Sequence, residues 1–272
     1  MAIVCLWWGV GFAAAVIATA PRPASIPSVP DSLAGGETVT TRSSDGVTLH
    51  GWFVAGRDAA TCVVLAAGIR GNRTAMVSRA VFHRERGASV LLVDLRGTGT
   101  SDPERIGLGY HEALDLVAWH AFLRARNVTA IGVHGQSLGA AAAVYTAVRG
   151  APEWQFVVLE ACYADVREAL AARVPFVPPF LLWPMVCSAE WLLGVDADEL
   201  VPERAIAALR APTLVVQGER DEKVGPRAHE RLFAASPAAH KATCVVPKVG
   251  HVDLWGQGGR VQAAITAFLM PR

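Results

Sequence analysis

The sequence lacks an excess of either charge. Among its 272 residues, Lys and Arg number 25 and Asp and Glu number 24, so the formal net charge is +1. No basic stripe stands out, which argues against a nucleic acid as partner. Because 52% of the residues are hydrophobic, the chain can bury a sizeable core, and its length suits one large domain or two small ones.

Cysteine is scarce and irregularly spaced. The 5 cysteines form no Cys-x-x-Cys pair, which excludes both a disulfide framework and a cysteine-rich metal site. Cys62, Cys162 and Cys244 lie in apolar runs typical of strands. We therefore expect these three to be small buried hydrophobic residues.

Charge is absent altogether from the first twenty residues, which we treat as a separate segment, 1–20. Residues 2–20 would span nearly all of the ~30 Å hydrocarbon core as a helix at ~1.5 Å per residue. Their length and paired tryptophans favour an uncleaved transmembrane anchor. Residues 18–20, Ala-Thr-Ala, would also suit signal-peptide cleavage and export, although Pro21 follows directly and no basic residue precedes the apolar run.

A proline-rich linker, residues 21–36, precedes a predicted globular domain over 37–272. An Asp-Gly turn at 45–46 predicts an opening antiparallel hairpin. Strand and helix patterns then alternate, which predicts βαβ units in a mostly parallel central sheet with helices on both faces. The apolar or β-rich runs that we interpret as strands are 37–43, 47–54, 62–68, 88–95, 128–133, 156–161, 213–218 and 243–247.

One insertion, at about 164–205, breaks this alternation. Within it, residues 174–195 are apolar but contain four prolines together with Ser188 and Glu190. These interruptions argue against a transmembrane span. We expect a small helical cap over the carboxyl ends of the strands.

A Gly-Gln-Ser-Leu-Gly motif follows one of the apolar strands, at 135–139. A tight turn from a strand to a helix strains the backbone of Ser137 and exposes its Oγ, and flanking glycines avoid contact with neighbouring backbone. The alanines that follow allow the helix to pack close to the sheet. This placement favours Ser137 as a nucleophile over an ordinary glycine turn.

A serine nucleophile needs a base and an acid that orients the base. Asp221 follows the strand at 213–218, and His251 follows the strand at 243–247, which gives the chain order Ser, Asp, His. Alone, Asp221 could cap the next helix and His251 could be a hydrated loop residue. Glu160, at the end of another strand, is the competing candidate for the acid. His134 lies in the strand of the nucleophile, too constrained to reach the Ser137 Oγ.

Two backbone amides are candidates for an oxyanion hole. The amide of Leu138 follows Ser137 at the start of a helix, and that of Ile69 lies in the turn after the strand at 62–68. In that turn we interpret Arg70 and Arg73 as solvated charges. The histidines on predicted helices, which are His83, His111, His120 and His229, are expected at the surface.

Together these segments resemble the α/β-hydrolases of the serine-esterase type, and most closely the membrane-anchored group described as BEM46-like. The resemblance covers about residues 37–270 and is carried by the segments LHGWFV, AAGIRGNR, VDLRGTGTSD, YHEALDLVAWHAFL, HGQSLG, PTLVVQGERDEKV and VGHVD. Two departures occur. Ala67 stands where His usually precedes the glycine of the oxyanion turn, and Gly97-Thr98-Gly99 replaces the common Gly-His-Gly.

The predicted activity is therefore a serine hydrolase that cleaves carboxylic esters through Ser137, Asp221 and His251, without a metal or a cofactor. The expected substrate is a small ester with an apolar acyl or alcohol part. Because the resemblance covers several chemistries, an acyltransferase, a thioesterase or an amidase on the same triad remains an alternative. A non-catalytic, membrane-tethered binding protein on this scaffold is the other.

Overall fold

A single twisted sheet organises the part of the chain that the computed structural model describes, residues 1–225 and 227–270; Pro226, Pro271 and Arg272, the last two within the predicted domain, lie outside it. Eight strands of these described residues form the sheet. They are β1 Glu37–Arg42, β2 Thr48–Val54, β3 Asp58–Ala66, β4 Ala88–Val93, β5 Ala130–Gln136, β6 Phe156–Glu160, β7 Thr213–Gly218 and β8 Lys241–Val246.

The strand order is β8-β7-β6-β5-β3-β4-β2-β1. Strands β1 and β2 form the predicted antiparallel hairpin, and β2 also pairs antiparallel with β4. Every other pairing, from β4 across to β8, is parallel. The carboxyl ends of these parallel strands therefore meet along one edge, where ligands bind in open α/β sheets.

Helices cover both faces of the sheet, so the predicted fold class, an α/β-hydrolase fold, is confirmed. Alternate strand residues enter opposite cores: Val64 packs with the helices Glu112–Ala125 and Leu138–Arg149, whereas Val63 packs with the helices Val77–Glu85 and Arg260–Leu269. Cys62, Cys162 and Cys244 are buried, as predicted. The helices are α1 Ala2–Thr19, α2 Val77–Glu85, α3 Glu112–Ala125, α4 Leu138–Arg149, α5 Val166–Arg173, α6 Trp183–Leu193, α7 Pro202–Ala205, α8 Ala228–Ala235 and α9 Arg260–Leu269.

The segment between β6 and β7 contains three short helices, α5, α6 and α7. Asp165 caps α5, because its carboxylate accepts from the backbone amides of Arg167 and Glu168. The apolar stretch of this segment is divided into a 3₁₀ turn at Pro179–Leu182 and helix α6. Gly194 caps the end of α6 with a positive φ of 64°. The stretch is thus too interrupted for one continuous span.

Helix α1 is, among the described residues, the one helix long and apolar enough to cross a membrane, and its position fits a signal or an anchor. It packs against α6. The segment that follows also contacts the globular part, since residues 22–23 pair with 98–99 as parallel strands and Leu33 is buried.

Candidate active site

The turn between β5 and α4 holds Ser137 in a strained backbone conformation, with φ 48° and ψ −106°. Its amide donates a 2.7 Å hydrogen bond to the carbonyl of Glu160, at the end of the neighbouring strand. A Cβ added at Gly135 would lie 2.4 Å from the carbonyl carbon of Gly139, and one added at Gly139 would lie 2.3 Å from the carbonyl oxygen of Ala66. The two glycines are therefore required by backbone clearance, as the sequence predicts.

Asp221 and His251 meet at the ends of the last two strands. The Nδ1 of His251 lies 2.8 Å from the Oδ2 of Asp221, whose side chain is buried while the His251 ring is partly exposed. The other carboxylate oxygen accepts from the amide of Lys223 at 3.1 Å. Helix α8 has no side-chain cap, so Asp221 contacts the histidine and does not cap that helix.

The described residues contain no hydrogen bond between the Ser137 Oγ and the His251 ring, although both follow parallel strands at one edge of the sheet. Since Asp221 occupies Nδ1, the ring nitrogen left for a second partner is Nε2.

The amides of Ile69 and Leu138 lie near the same serine. Leu138 is the first residue of α4, where backbone N–H groups lack partners within the helix. Ile69 follows Gly68, and a Cβ added at Gly68 would approach the Ser137 Cβ to 3.3 Å. Among the described residues neither amide has a protein acceptor, so both are free to donate to a ligand.

Beside Ser137 lies an apolar cavity of about 150 Å³. Its walls include Ile69 and Leu138, the cap helix α6 and the last turn of α1. The cavity thus joins the predicted nucleophile and both predicted oxyanion residues to an apolar space.

Glu160, the competing acid, belongs to a different network. Its carboxylate binds the guanidinium of Arg79 at 2.6 Å and the Nε2 of His134 at 2.5 Å, and all three side chains are buried. Burial opposes ionisation of Glu160, but His134 and Arg79 outweigh it and lower its pKa to about 2. Arg79 also binds Asp253, two residues beyond His251. Glu160 is thus tied to Arg79 and His134, while Asp221 contacts His251.

His83 contradicts the prediction that it lies at the surface. It is buried and shares a 3.1 Å hydrogen bond with His134. Burial, together with the neighbouring His134, holds the pKa of His83 well below its usual value. Its position on an apparently polar helix gave no signal, because only the tertiary structure brings β5 beneath α2.

Arg73 is a second correction. It is not solvated but buried, and it pairs with Asp94 at 2.6 Å. The backbone amide of Arg73 also donates to Asp94, at 2.8 Å. This buried pair fixes the end of the turn that carries Ile69, whereas Arg70 is exposed as predicted.

A buried carboxyl group that sequence reasoning missed supports one wall of the cavity. The side chain of Glu112 accepts from the amides of Gly107 and Gly109, at 2.7 and 2.8 Å, and so fixes Leu108, which lines the cavity. Burial and the nearby Asp115 raise the pKa of Glu112 to about 7.

The described residues include no group of three His, Cys, Asp or Glu side chains close enough to hold a metal ion.

Two known proteins have sequences that align with most of this chain. A protein of Mycobacterium tuberculosis, the uncharacterized Rv2307c, is 32% identical over 254 residues, which cover 92% of this chain and 84% of that protein. Protein bem46 of Schizosaccharomyces pombe is 26% identical over 80% of this chain and 71% of its own length.

The fold is also similar to that of the Pyrococcus furiosus esterase Pf2001. That structure superposes with a TM-score of 0.72 at 21% identity and covers 92% of this chain and 97% of its own. The model of the prolyl oligopeptidase family matches residues 74–270. The chain therefore belongs to the prolyl oligopeptidase family and is an α/β-hydrolase related to bem46.

Proposed function

We propose that this α/β-hydrolase is a serine hydrolase that cleaves carboxylic esters with an apolar acyl or alcohol part. The observation that supports it most is the shared cavity, which Ser137, Ile69 and Leu138 all line. The Asp221–His251 contact at the adjacent strand ends supplies the complementary base and acid.

The proposed reaction begins when the Nε2 of His251 removes the proton of the Ser137 hydroxyl. The Oγ attacks the ester carbonyl, and the amides of Ile69 and Leu138 donate to the developing oxyanion. His251 then passes its proton to the leaving alcohol as the C–O bond breaks. A water molecule, deprotonated by the same ring, releases the acid and restores Ser137.

Asp221 has a positioning role in this scheme. Its hydrogen bond to Nδ1 keeps the proton on that nitrogen, so that Nε2 presents its lone pair to Ser137. The carboxylate also stabilises the imidazolium that forms during attack. Neither step requires a metal or a cofactor.

The decisive experiment is labelling of the full-length protein by a fluorophosphonate probe. The wild type should be labelled and should hydrolyse p-nitrophenyl butyrate, whereas Ser137→Ala should do neither. Ser78→Ala, which changes an exposed serine on α2, is the matched control and should behave as the wild type. Labelling that persists in Ser137→Ala would overturn the assignment of the nucleophile.

The family match makes a peptide amide the main alternative to an ester substrate. A p-nitroanilide and a p-nitrophenyl ester with the same acyl group, compared by kcat/KM, distinguish the two. An added alcohol that diverts the acyl group from water would identify an acyltransferase. A protein that is neither labelled nor active on any activated ester would favour the binding-protein alternative.

A further inference from the structure

Helix α1 and the cap expose many large apolar side chains. Phe176 is 96% exposed and Trp191 is 75% exposed. Aromatic contacts join α1 to α6. The ring centroids of Trp8 and Trp183 lie 5.6 Å apart, and those of Phe12 and Trp191 lie 6.2 Å apart. Soluble monomers rarely expose large apolar surfaces, so this face of α1 and the cap requires a partner.

The contact between α1 and α6 depends on close approach of the two backbones. Gly11 lies against the first turn of α6, where an added Cβ would be 2.6 Å from the Pro184 Cβ and 2.8 Å from the Met185 amide nitrogen. Ala15 and Thr19, at four-residue intervals from Gly11, are also buried. The indole of Trp7 donates to the carbonyl of Leu181 at 2.9 Å. Small residues at this spacing are typical of helices that pack inside membranes.

The same two helices enclose the cavity beside Ser137. Ala18 and Thr19 of α1 form one wall, and Met185, Val186 and Ala189 of α6 form another. Beyond this end of α1 the character of the chain changes, because Arg105 donates to the Thr19 hydroxyl and residues 22–23 join the globular part. Retention of α1 would therefore complete the cavity, whereas cleavage after Ala20 would remove a wall.

We propose that α1 and α6 insert together into the hydrocarbon of a lipid bilayer and admit the ester group of a bilayer-dissolved, long-chain acyl ester to the cavity beside Ser137, while most of its chain stays in the hydrocarbon. Helix α1 carries no charge and is about 27 Å long at ~1.5 Å per residue, close to the thickness of the ~30 Å core. The apolar stretch of the cap, Pro179–Leu193, is too short to cross and packs beside α1. In this arrangement it would enter one leaflet. The hydrolytic step rests on the proposed function, but the insertion does not.

Glycine substitutions on α1 test the delivery of substrate. Gly11→Leu places a side chain where the Pro184 and Met185 backbone lies, whereas Gly9 has nothing within 4 Å of an added Cβ, so Gly9→Leu is the matched control. Leucine favours the helix at both sites. The full-length proteins are placed in phosphatidylcholine vesicles with either p-nitrophenyl acetate in the water or 4-methylumbelliferyl oleate in the bilayer.

Gly11→Leu should lose at least tenfold in rate on the bilayer-dissolved oleate and stay within about threefold of wild type on the soluble acetate. Gly9→Leu should match the wild type on both. Equal oleate rates for the two variants would overturn delivery between α1 and α6. If the wild type hydrolyses neither ester, the proposed function fails, and the insertion is still decided by the next measurement.

Insertion of the cap is measured without any catalysis, by quenching tryptophan fluorescence with brominated phosphatidylcholine. Trp183→Phe combined with Trp191→Phe keeps the face apolar and should remove part of the quenchable emission, the rest coming from Trp7 and Trp8 of α1. Trp154→Phe, a buried residue hydrogen-bonded to Thr146 in the globular core, should remove only emission that the bromines do not quench. Unchanged quenching in the double variant would place the cap in water or against a second copy of the chain, and would overturn the proposal.

Discussion

The carboxylate at 221 offers the sharpest test of the proposed chemistry, through Asp221→Asn. Asparagine has nearly the same size, and its oxygen can still accept from the Lys223 amide. Its NH₂ group would face the Nδ1 of His251, now 2.8 Å from a carboxylate oxygen. The ring would then carry its proton on Nε2, and a protonated Nε2 cannot accept the proton of Ser137.

The expected loss is large because the substitution reverses the tautomer without moving the ring. The corresponding change in a Ser-His-Asp protease lowers kcat by ~10⁴-fold, or about 5.4 kcal/mol at ~1.36 kcal/mol per tenfold. Initial rates on p-nitrophenyl butyrate, with Ser137→Ala as the floor, measure this loss. The melting temperature of Asp221→Asn should stay close to that of the wild type.

Glu160→Gln is the matched comparison, since it neutralises the competing carboxylate. It leaves the buried Arg79 with the exposed Asp253 as its ionic partner, and breaking the buried pair typically costs ~3–5 kcal/mol of folding free energy. At about 2–4 °C per kcal/mol, its melting temperature should fall by roughly 10 °C, while the rate per folded molecule at 25 °C stays within about tenfold. A 10⁴-fold loss in Glu160→Gln beside an active Asp221→Asn would refute the assignment of the acid.

Two further predictions follow from the packing around the site. Gly139→Ala should destabilise the fold by about 3 kcal/mol, because its Cβ would lie 2.3 Å from the Ala66 carbonyl oxygen. The control Gly256→Ala, which has open space around it, should leave the stability unchanged. Equal melting temperatures for the two variants in thermal melts would contradict the argument from backbone clearance. The pKa of Glu112 is raised to about 7 from 4.5, so its contribution to stability is full below pH 4.5 and is lost as the pH rises to about 7. Urea melts from pH 4 to 8 should show this loss in the wild type and not in Glu112→Gln; identical pH profiles would refute it.

Local pattern was sufficient to predict the sheet and the order of its strands along the chain. An apolar run indicates each buried strand, and apolar residues at helical spacing indicate each crossover helix, because these periodicities follow from local backbone geometry. The Gly-x-Ser-x-Gly turn was equally predictable. A side chain at Gly135 or Gly139 would clash with backbone a few residues away or in the adjoining strand.

Buried charge was not predictable in the same way. The burial of Arg73 and His83 is explained only by their partners, Asp94 just after β4 and His134 on β5. A charge is tolerated inside a protein when it is paired, and pairing is a property of the assembled sheet. The raised pKa of Glu112 has the same origin, since it requires the surrounding core.

The sequence by itself determined the α/β-hydrolase fold and nominated Ser137, Asp221 and His251, because strand ends in a parallel sheet converge whatever their spacing along the chain. Only the tertiary structure decided that Asp221, rather than Glu160, contacts His251. It likewise decided that α1 lies on the cap and lines the cavity. Contacts between segments far apart in the chain depend on how whole elements pack, and no local pattern of residues specifies that arrangement.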